Sequence, residues 1–167
     1  MLIRREIAGD EPAVHHVHAT AFATGDRVEA VIAARLRAAG DAIPALSLVA
    51  EIDGAVAGHV VGSRAHIGHH LSVGLGPVGV LPAHQGKGVG SALLHAVLAA
   101  ADALEFPEVI LLGSPDFYRR FGFRLAQPLG VIPPDPAWEP HFQIRTLAAW
   151  TAHRQGTFRY APAFDDI

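Results

Sequence analysis

Six residues, Gln85-Gly86-Lys87-Gly88-Val89-Gly90, separate an apolar run that ends at Pro82 from a long apolar segment, and they restrict the fold more than any other stretch. Residues 76–81 read as a strand stopped by Pro82, and residues 91–104 as a long helix. A strand that enters a helix through three closely spaced glycines gathers several backbone N–H groups at a helix N-terminus. The helix dipole favours negative charge there, and the missing side chains allow close approach. The turn is thus an anion cradle suited to a phosphate or pyrophosphate, and it fixes a sheet-and-helix architecture around itself.

The flanking sequence supplies the rest of that architecture. Residues 2–7 read as an opening strand. Asp10 is a candidate N-cap with Pro12 in the first turn, and Val14, Val17, Ala21 and Phe22 follow at helical spacing. Asp26 is placed to cap a second helix carrying Val28, Ile32, Leu36 and Ala39 on one face, ended by Gly40. After a breaker at 41–44, residues 45–51 and 55–63 form a hairpin across Asp53-Gly54. Residues 64–73 read as a polar connection rich in His and Gly. The continuous apolar run at 108–113 predicts a strand buried on both faces. A short helix at 116–121, strands at 123–126 and 142–147, and a last strand at 156–160 complete the pattern. Hairpins followed by alternating strands and helices predict one mixed α+β or α/β sheet domain over residues 1–167.

Composition narrows the class. Half of the 167 residues are apolar and 17% are charged, with a net charge of −3. Such a chain buries enough surface to offset its conformational entropy, and it lacks the basic surface of a nucleic-acid-binding domain. With no cysteine there is neither disulfide framework nor thiolate chemistry, so the expected compartment is a reducing cytoplasm. A mean hydropathy of +0.28 raises the question of a membrane span. None of the apolar runs reaches the roughly 20 residues a span needs: 45–50 ends at Glu51, 55–62 contains His59, and 91–104 contains His95 and Asp102. The N-terminus does not read as a signal peptide. The apolar excess is therefore expected in a core or a pocket, with neither nucleic acid nor membrane as a partner.

Three kinds of phosphate-binding turn compete for 85–90. A Walker A loop needs Ser or Thr after its Gly-Lys, and Gly88 stands there. A dinucleotide fingerprint needs a third glycine where Ser91 stands, and an acidic residue ending the next strand, whereas Glu105 and Glu108 precede it. The third fits. Val78-Gly79-Val80-Leu81-Pro82 followed by Gln85-Gly86-Lys87-Gly88-Val89-Gly90 closely resembles the acetyl-CoA-binding signature of the GNAT superfamily of N-acetyltransferases, a strand with V-x-P, then Q/R-x-x-G-x-G/A, then a helix. Tyr118-Arg119-Arg120-Phe121-Gly122-Phe123 resembles the family's Y-x-x-F-G-F element. The resemblance spans nearly the whole chain, and it is strongest to the YhbS-like subgroup.

The resemblance implies a GNAT acyl-CoA N-acyltransferase fold: a mixed, mostly antiparallel sheet with splayed central strands, flanked by helices. It implies acetyl transfer from acetyl-CoA to an amine by direct attack in a ternary complex. The amides of Gln85, Gly86, Lys87, Gly88, Val89 and Gly90 would hold the CoA pyrophosphate, with Ser91 and the Lys87 side chain assisting. Val78 and Val80 would pair through their backbone with the pantetheine arm, and the Val80 N–H would polarise the thioester carbonyl. Phe117 and Phe121 would pack on the arm. Tyr118 matches the family's general acid, which protonates the departing thiolate.

Other features carry less. Between Arg64 and Leu104 the only carboxylate is Asp102, so the base that deprotonates the amine is open among Glu51, His59, the His66/His69/His70 group and water. The pair His15/His18 and the His66–His70 cluster raise a metal site, but no carboxylate or cysteine is placed beside either, and no metal is expected. The proline-rich loop 131–141 is long for a plain connection. In the family fold it borders the acceptor site, which makes Trp138, Glu139 and His141 candidates for that site. Two rival readings stand beside catalysis of acetyl transfer: a non-catalytic acyl-CoA sensor, and an acyltransferase using another thioester or a hydroxyl acceptor. The sequence does not fix the acceptor, and it neither requires nor excludes a homodimer through a sheet edge.

Overall fold

The computed structural model describes residues 1–24 and 28–165. The chain runs β1 (Leu2–Arg5), α1 (Glu11–Ala21), α2 (Val28–Ala39), β2 (Ala42–Ile52), β3 (Ala55–Ile67) and β4 (His70–Val80). A 3-10 turn at Pro82–His84 and the glycine turn lead into α3 (Val89–Ala103), β5 (Glu108–Leu112) and the short α4 (Pro115–Tyr118). β6 (Arg124–Leu125), β7 (Val131–Ile132), β8 (Phe142–Thr146) and β9 (Gly156–Arg159) follow. The sheet order is β1-β2-β3-β4-β5-β8-β6, antiparallel along this path except between β4 and β5; β9 joins β3 antiparallel and β7 parallel.

Strand alternation sends side chains to two layers. Leu46, Leu48 and Ala50 of β2, Val73 and Leu75 of β4, and Val109 and Leu111 of β5 pack against Val89, Leu93, Leu94 and Val97 of α3. On the opposite face Val49 and Val61 meet Val14 of α1 and Ile32, Ala33 and Leu36 of α2. Ile110 joins Phe142, Ile144 and Phe158 in a third cluster, so β5 is apolar on both faces, as its continuous run requires.

The central feature is a parting of the sheet. β4 and β5 are in register only at Val73–Val109 and Gly74–Ile110. Beyond Gly74, β4 slips against β3 between Leu75 and Val78, at Pro77, whose nitrogen has no hydrogen to donate to a neighbouring strand. From Leu75 to Val80 the strand is held on one side by β3, and no strand pairs with its other edge among the described residues.

Several sequence expectations are corrected. Residues 64–73 are not a connection: β3 continues to Ile67, Gly68 turns with φ +57°, and β4 begins at His70. The expected breaker at 41–44 belongs to β2, where Pro44 is exposed and falls in a gap in the β2–β3 register. Asp10 does precede α1, but its carboxylate accepts from Arg4 (2.7 and 3.0 Å) and the Ile7 N–H (2.9 Å) and makes no hydrogen bond to the helix. The expected cap at Asp26 lies outside the described residues. The Asp53-Gly54 turn is as expected, with both residues in the left-handed region (φ +51° and +80°). No helix among the described residues is long and apolar enough to cross a membrane.

Candidate active site

The glycine turn delivers what its sequence requires. Gly86 and Gly88 have φ +71° and +84°, a backbone that side chains resist. Gly88 is the residue before α3; no side chain among the described residues caps the helix, and its first turn holds no acidic residue. The first hydrogen bond closing the helix runs from the Ala92 N–H to the Gly88 carbonyl (2.9 Å). The amides of Val89, Gly90 and Ser91 lie ahead of that bond, where a helix has no carbonyl of its own to offer, and they form an electropositive end.

The open edge of β4 meets this helix end. The Leu81 N–H donates to the Ala57 carbonyl across β3 (2.9 Å). Strand alternation therefore turns the N–H and carbonyl groups of Val80 and Val78 away from β3, toward the parted side. The Val80 carbonyl accepts from Gln85 Nε2 (3.0 Å), which ties the turn to the strand. Val78, Val80, Gln85, Gly86, Gly88, Val89, Gly90 and Ser91 line one wall of a cleft of about 510 Å³; Ser114, Phe117, Tyr118 and Arg120 line the other.

Tyr118 is set by what lies behind it. A Cβ on Gly113 would collide with its Cε2 and lie 3.0 Å from Cδ2, so the ring can occupy its place only over a glycine. Phe117 and Phe123 meet the ring edge-on at 4.9 and 5.7 Å. Burial pushes the phenol above its ordinary value and keeps it protonated, the state an acid needs. The Arg120 guanidinium lies 4.3 Å from the Phe117 ring centre and 5.1 Å from that of Phe121, at the cleft wall. Sequence reasoning missed Ser114 and Arg120: Ser114 precedes the tyrosine motif and Arg120 fills one of its variable positions, so no pattern in the sequence marks either.

Two expected residues lie apart from the cleft walls. Lys87 Nζ donates to the Ala83 carbonyl (2.8 Å), closing the 3-10 turn. Phe121 is a core residue, packed with Phe123, Leu94 and Leu98 in the α3 layer and edge-on to His95. The candidate bases are scattered. Glu51 pairs with Arg4 (2.9 Å). His59 is fully buried beneath α1. His66 lines a separate pocket of about 620 Å³ together with Trp138, Arg159, Tyr160, Phe164 and Asp165, whereas Glu139 and His141 are exposed and do not line it. His15 is exposed and His18 buried, so that pair does not converge. Among the described residues no three His, Asp or Glu side chains gather as a metal site.

A mixed sheet parted between two central strands, with its open edge facing an uncapped, glycine-led helix, defines the class: an acetyltransferase of the GNAT fold. The model of the acetyltransferase (GNAT) domain matches residues 44–125. The chain is 34% identical over 151 residues to the uncharacterised N-acetyltransferase YhbS of Escherichia coli K12, covering 89% of this chain and 88% of the relative. It is 33% identical over 148 residues to the uncharacterised N-acetyltransferase YjhQ of the same strain, covering 86% and 81%. The chain therefore belongs to the GNAT acetyltransferase family. In three dimensions it resembles Escherichia coli YhbS crystallised in complex with CoA, with a TM-score of 0.91, 30% identity and coverage of 98% and 91%. It also resembles a GNAT family acetyltransferase from Brucella melitensis in complex with acetyl-CoA, with a TM-score of 0.83, 35% identity and coverage of 98% and 97%.

Proposed function

We propose that this enzyme binds acetyl-CoA along the open edge of β4 and transfers its acetyl group to an amine by direct attack. The observation that carries this reading is the meeting, in one cleft, of the free β4 backbone, the uncapped α3 amides and the buried Tyr118 phenol. Both CoA-bound and acetyl-CoA-bound relatives share the fold. The amides of Val89, Gly90 and Ser91 suit the pyrophosphate, and Arg120 on the facing wall adds positive charge. The pantetheine arm carries amides that Val78 and Val80 can pair with, as a neighbouring strand would.

The acetyl carbonyl would then lie at the Val80 N–H, which stabilises the charge that develops on its oxygen. The amine lone pair attacks the carbonyl carbon and a C–N bond forms. As the C–S bond breaks, the thiolate takes the Tyr118 proton, and the proton lost by the amine passes to water. Tyr118 recovers its proton from solvent.

The amine is best admitted on the face of β4 opposite α3. On that face Gly79 is covered by α1, whereas a Cβ on Gly76 would meet open space. Tyr160 packs on Gly74, with Tyr160 Cδ1 3.0 Å from where a Cβ would stand, and it forms the inner wall of the pocket that also holds Trp138 and Phe164. Aromatic faces of this kind suit a substrate that carries a positive charge in solution.

The test is release of CoA thiol from acetyl-CoA in the presence of panels of small amines, amino acids and peptides. Amine-dependent release that Tyr118→Phe abolishes supports transfer. Acetyl-CoA binding with equally inert wild type and Tyr118→Phe on every amine would instead indicate a sensor.

A further inference from the structure

Beneath α1 and α2 a chain of polar side chains crosses the sheet, buried and unused by the mechanism above. Glu6, just after β1, accepts from the Ser47 hydroxyl of β2, and its Oε2 lies 3.2 Å from His59 Nε2 on β3. Ser47 Oγ is 3.1 Å from the same nitrogen. His59 Nδ1 lies 2.8 Å from His18 Nε2 of α1. Arg37 of α2 places Nε 2.8 Å from Glu6 Oε1, close enough for an ion pair though off the hydrogen-bonding direction. Both imidazoles are completely sealed from solvent. Glu6, at one end of the chain, lines a surface pocket of about 410 Å³ with Arg37, Ser47, Glu11 and Arg64.

The carboxylate at one end dictates the state of every member. Glu6 accepts, so His59 Nε2 carries the hydrogen and His59 Nδ1 is bare. His18 Nε2 must then donate to it, which leaves His18 Nδ1 bare as well; that atom has no hydrogen-bond partner among the described residues. Burial holds both rings below the ordinary histidine value, in keeping with this neutral arrangement. The bare nitrogen rests on β4 at Gly79: a Cβ there would stand 2.7 Å from His18 Nδ1, 3.1 Å from Cε1 and 3.3 Å from Val17 Cγ1.

We infer that His18, held in this tautomer by His59, Ser47 and Glu6, is a positioning residue that fixes the Gly79–Val80 peptide and so aims the Val80 N–H into the cleft. The inference rests on the reading of that N–H as the donor to the acetyl carbonyl. Gly79 has no side chain to anchor itself, and this part of β4 lacks a strand on its open side. The His18 ring supplies the missing packing, and a protonated Nδ1 would bring an unpartnered donor against the strand. Electrostatic donors act only when placed before the reaction begins, and errors of about an ångström are felt strongly. A buried polar chain is costly to assemble where apolar side chains would pack as well. A duty of this kind explains why it is there.

The readout is the carbonyl stretch of acetyl-CoA labelled with carbon-13 at the carbonyl, measured by difference infrared spectroscopy on the bound form. In the unsubstituted protein the band should lie below that of free acetyl-CoA. In Glu6→Gln and His59→Gln the displacement should shrink by half or more. Acetyl transfer or thioester hydrolysis should fall about tenfold or more, while affinity for CoA, which has no acyl carbonyl, stays within about twofold. A folded variant with an undisturbed band and rate overturns the inference alone. No displacement in the unsubstituted protein overturns the Val80 reading with it. If neither variant folds, nitrogen-15 imidazole spectra of the unsubstituted protein decide: a bare Nδ1 on His18 supports the inference, and a protonated one ends it.

Discussion

Between pH 6.5 and about 5 the folded and unfolded forms of this protein bind different numbers of protons, because His18 and His59 are sealed from water. Burial holds His18 at about 3 against 6.5 for the free side chain; the neighbouring His59, Arg37 and His15 push the same way, and Glu6 opposes them. A lowered value means that the unfolded chain takes up the proton first. The stability associated with neutral His18 is complete above 6.5 and is lost as the pH falls toward 3. One proton of difference is worth about 1.4 kcal/mol per pH unit, so His18 alone removes about 2 kcal/mol by pH 5 and about 5 kcal/mol at the limit. His59, lowered mainly by its own burial, adds loss of the same sign. Glu6 is also lowered, but its free value of 4.5 puts its contribution below this window. Against a total stability of about 5–15 kcal/mol, the effect is large. Urea unfolding followed by far-ultraviolet circular dichroism, in half-unit steps from about pH 7.5 to about pH 5, measures it. The double variant His18→Gln/His59→Gln should show a flatter profile. Wild-type stability constant to within about 0.5 kcal/mol over this range, or a double variant with the wild-type slope, would refute the reasoning.

Three other perturbations probe the cleft and its support. Tyr118→Phe should lower amine-dependent CoA release by about a hundredfold or more while calorimetry shows unchanged CoA affinity, because on the proposed reading only the proton donor is lost. Gly88→Ala places a side chain at φ +84°; strain of about 1–2 kcal/mol should weaken CoA binding by roughly tenfold, read by the same titration. Arg154 makes paired contacts of 2.7 and 2.8 Å with the fully buried Glu108 of β5. Arg154→Ala leaves that carboxylate alone in the core and should cost about 3–5 kcal/mol in chemical denaturation.

How much of this was legible in the sequence depended on distance along the chain. The cleft is built from two short contiguous segments, 78–91 and 114–120, and ordered spacing within each exposes its chemistry. The polar chain under α1 draws His18, Ser47 and His59 from three elements and Glu6 from the segment after β1, and nothing local distinguishes them from solvated residues. His18 sits on the apolar stripe of α1, four residues after Val14, so its burial follows the helical period; its partner does not. The error at 64–73 has another cause. Arg64, Ala65, His66 and Ile67 alternate exposed and buried, which is a strand pattern, but two polar residues facing solvent beside Gly68 look like a loop. Pro44 misled in the same way, since a proline rules out a strand only where its neighbours need a hydrogen bond from it.

The parting of β4 from β5 has a consequence for the behaviour of the protein in the tube. It is an edge strand placed in the middle of a sheet, and the backbone of Val78 and Val80 there is as open to an extended foreign polypeptide as to a ligand. Proteins blunt such edges with charge, bulges or proline; here Pro77 and the slipped register protect only the beginning of the stretch. On the proposed reading, coenzyme covers the remainder, and at a hundredfold excess over its dissociation constant it adds about 2.7 kcal/mol of stability. Protein stripped of coenzyme should therefore scatter more light on storage than protein kept with it, which makes the substrate a keeper of solubility as well as a source of acetyl groups.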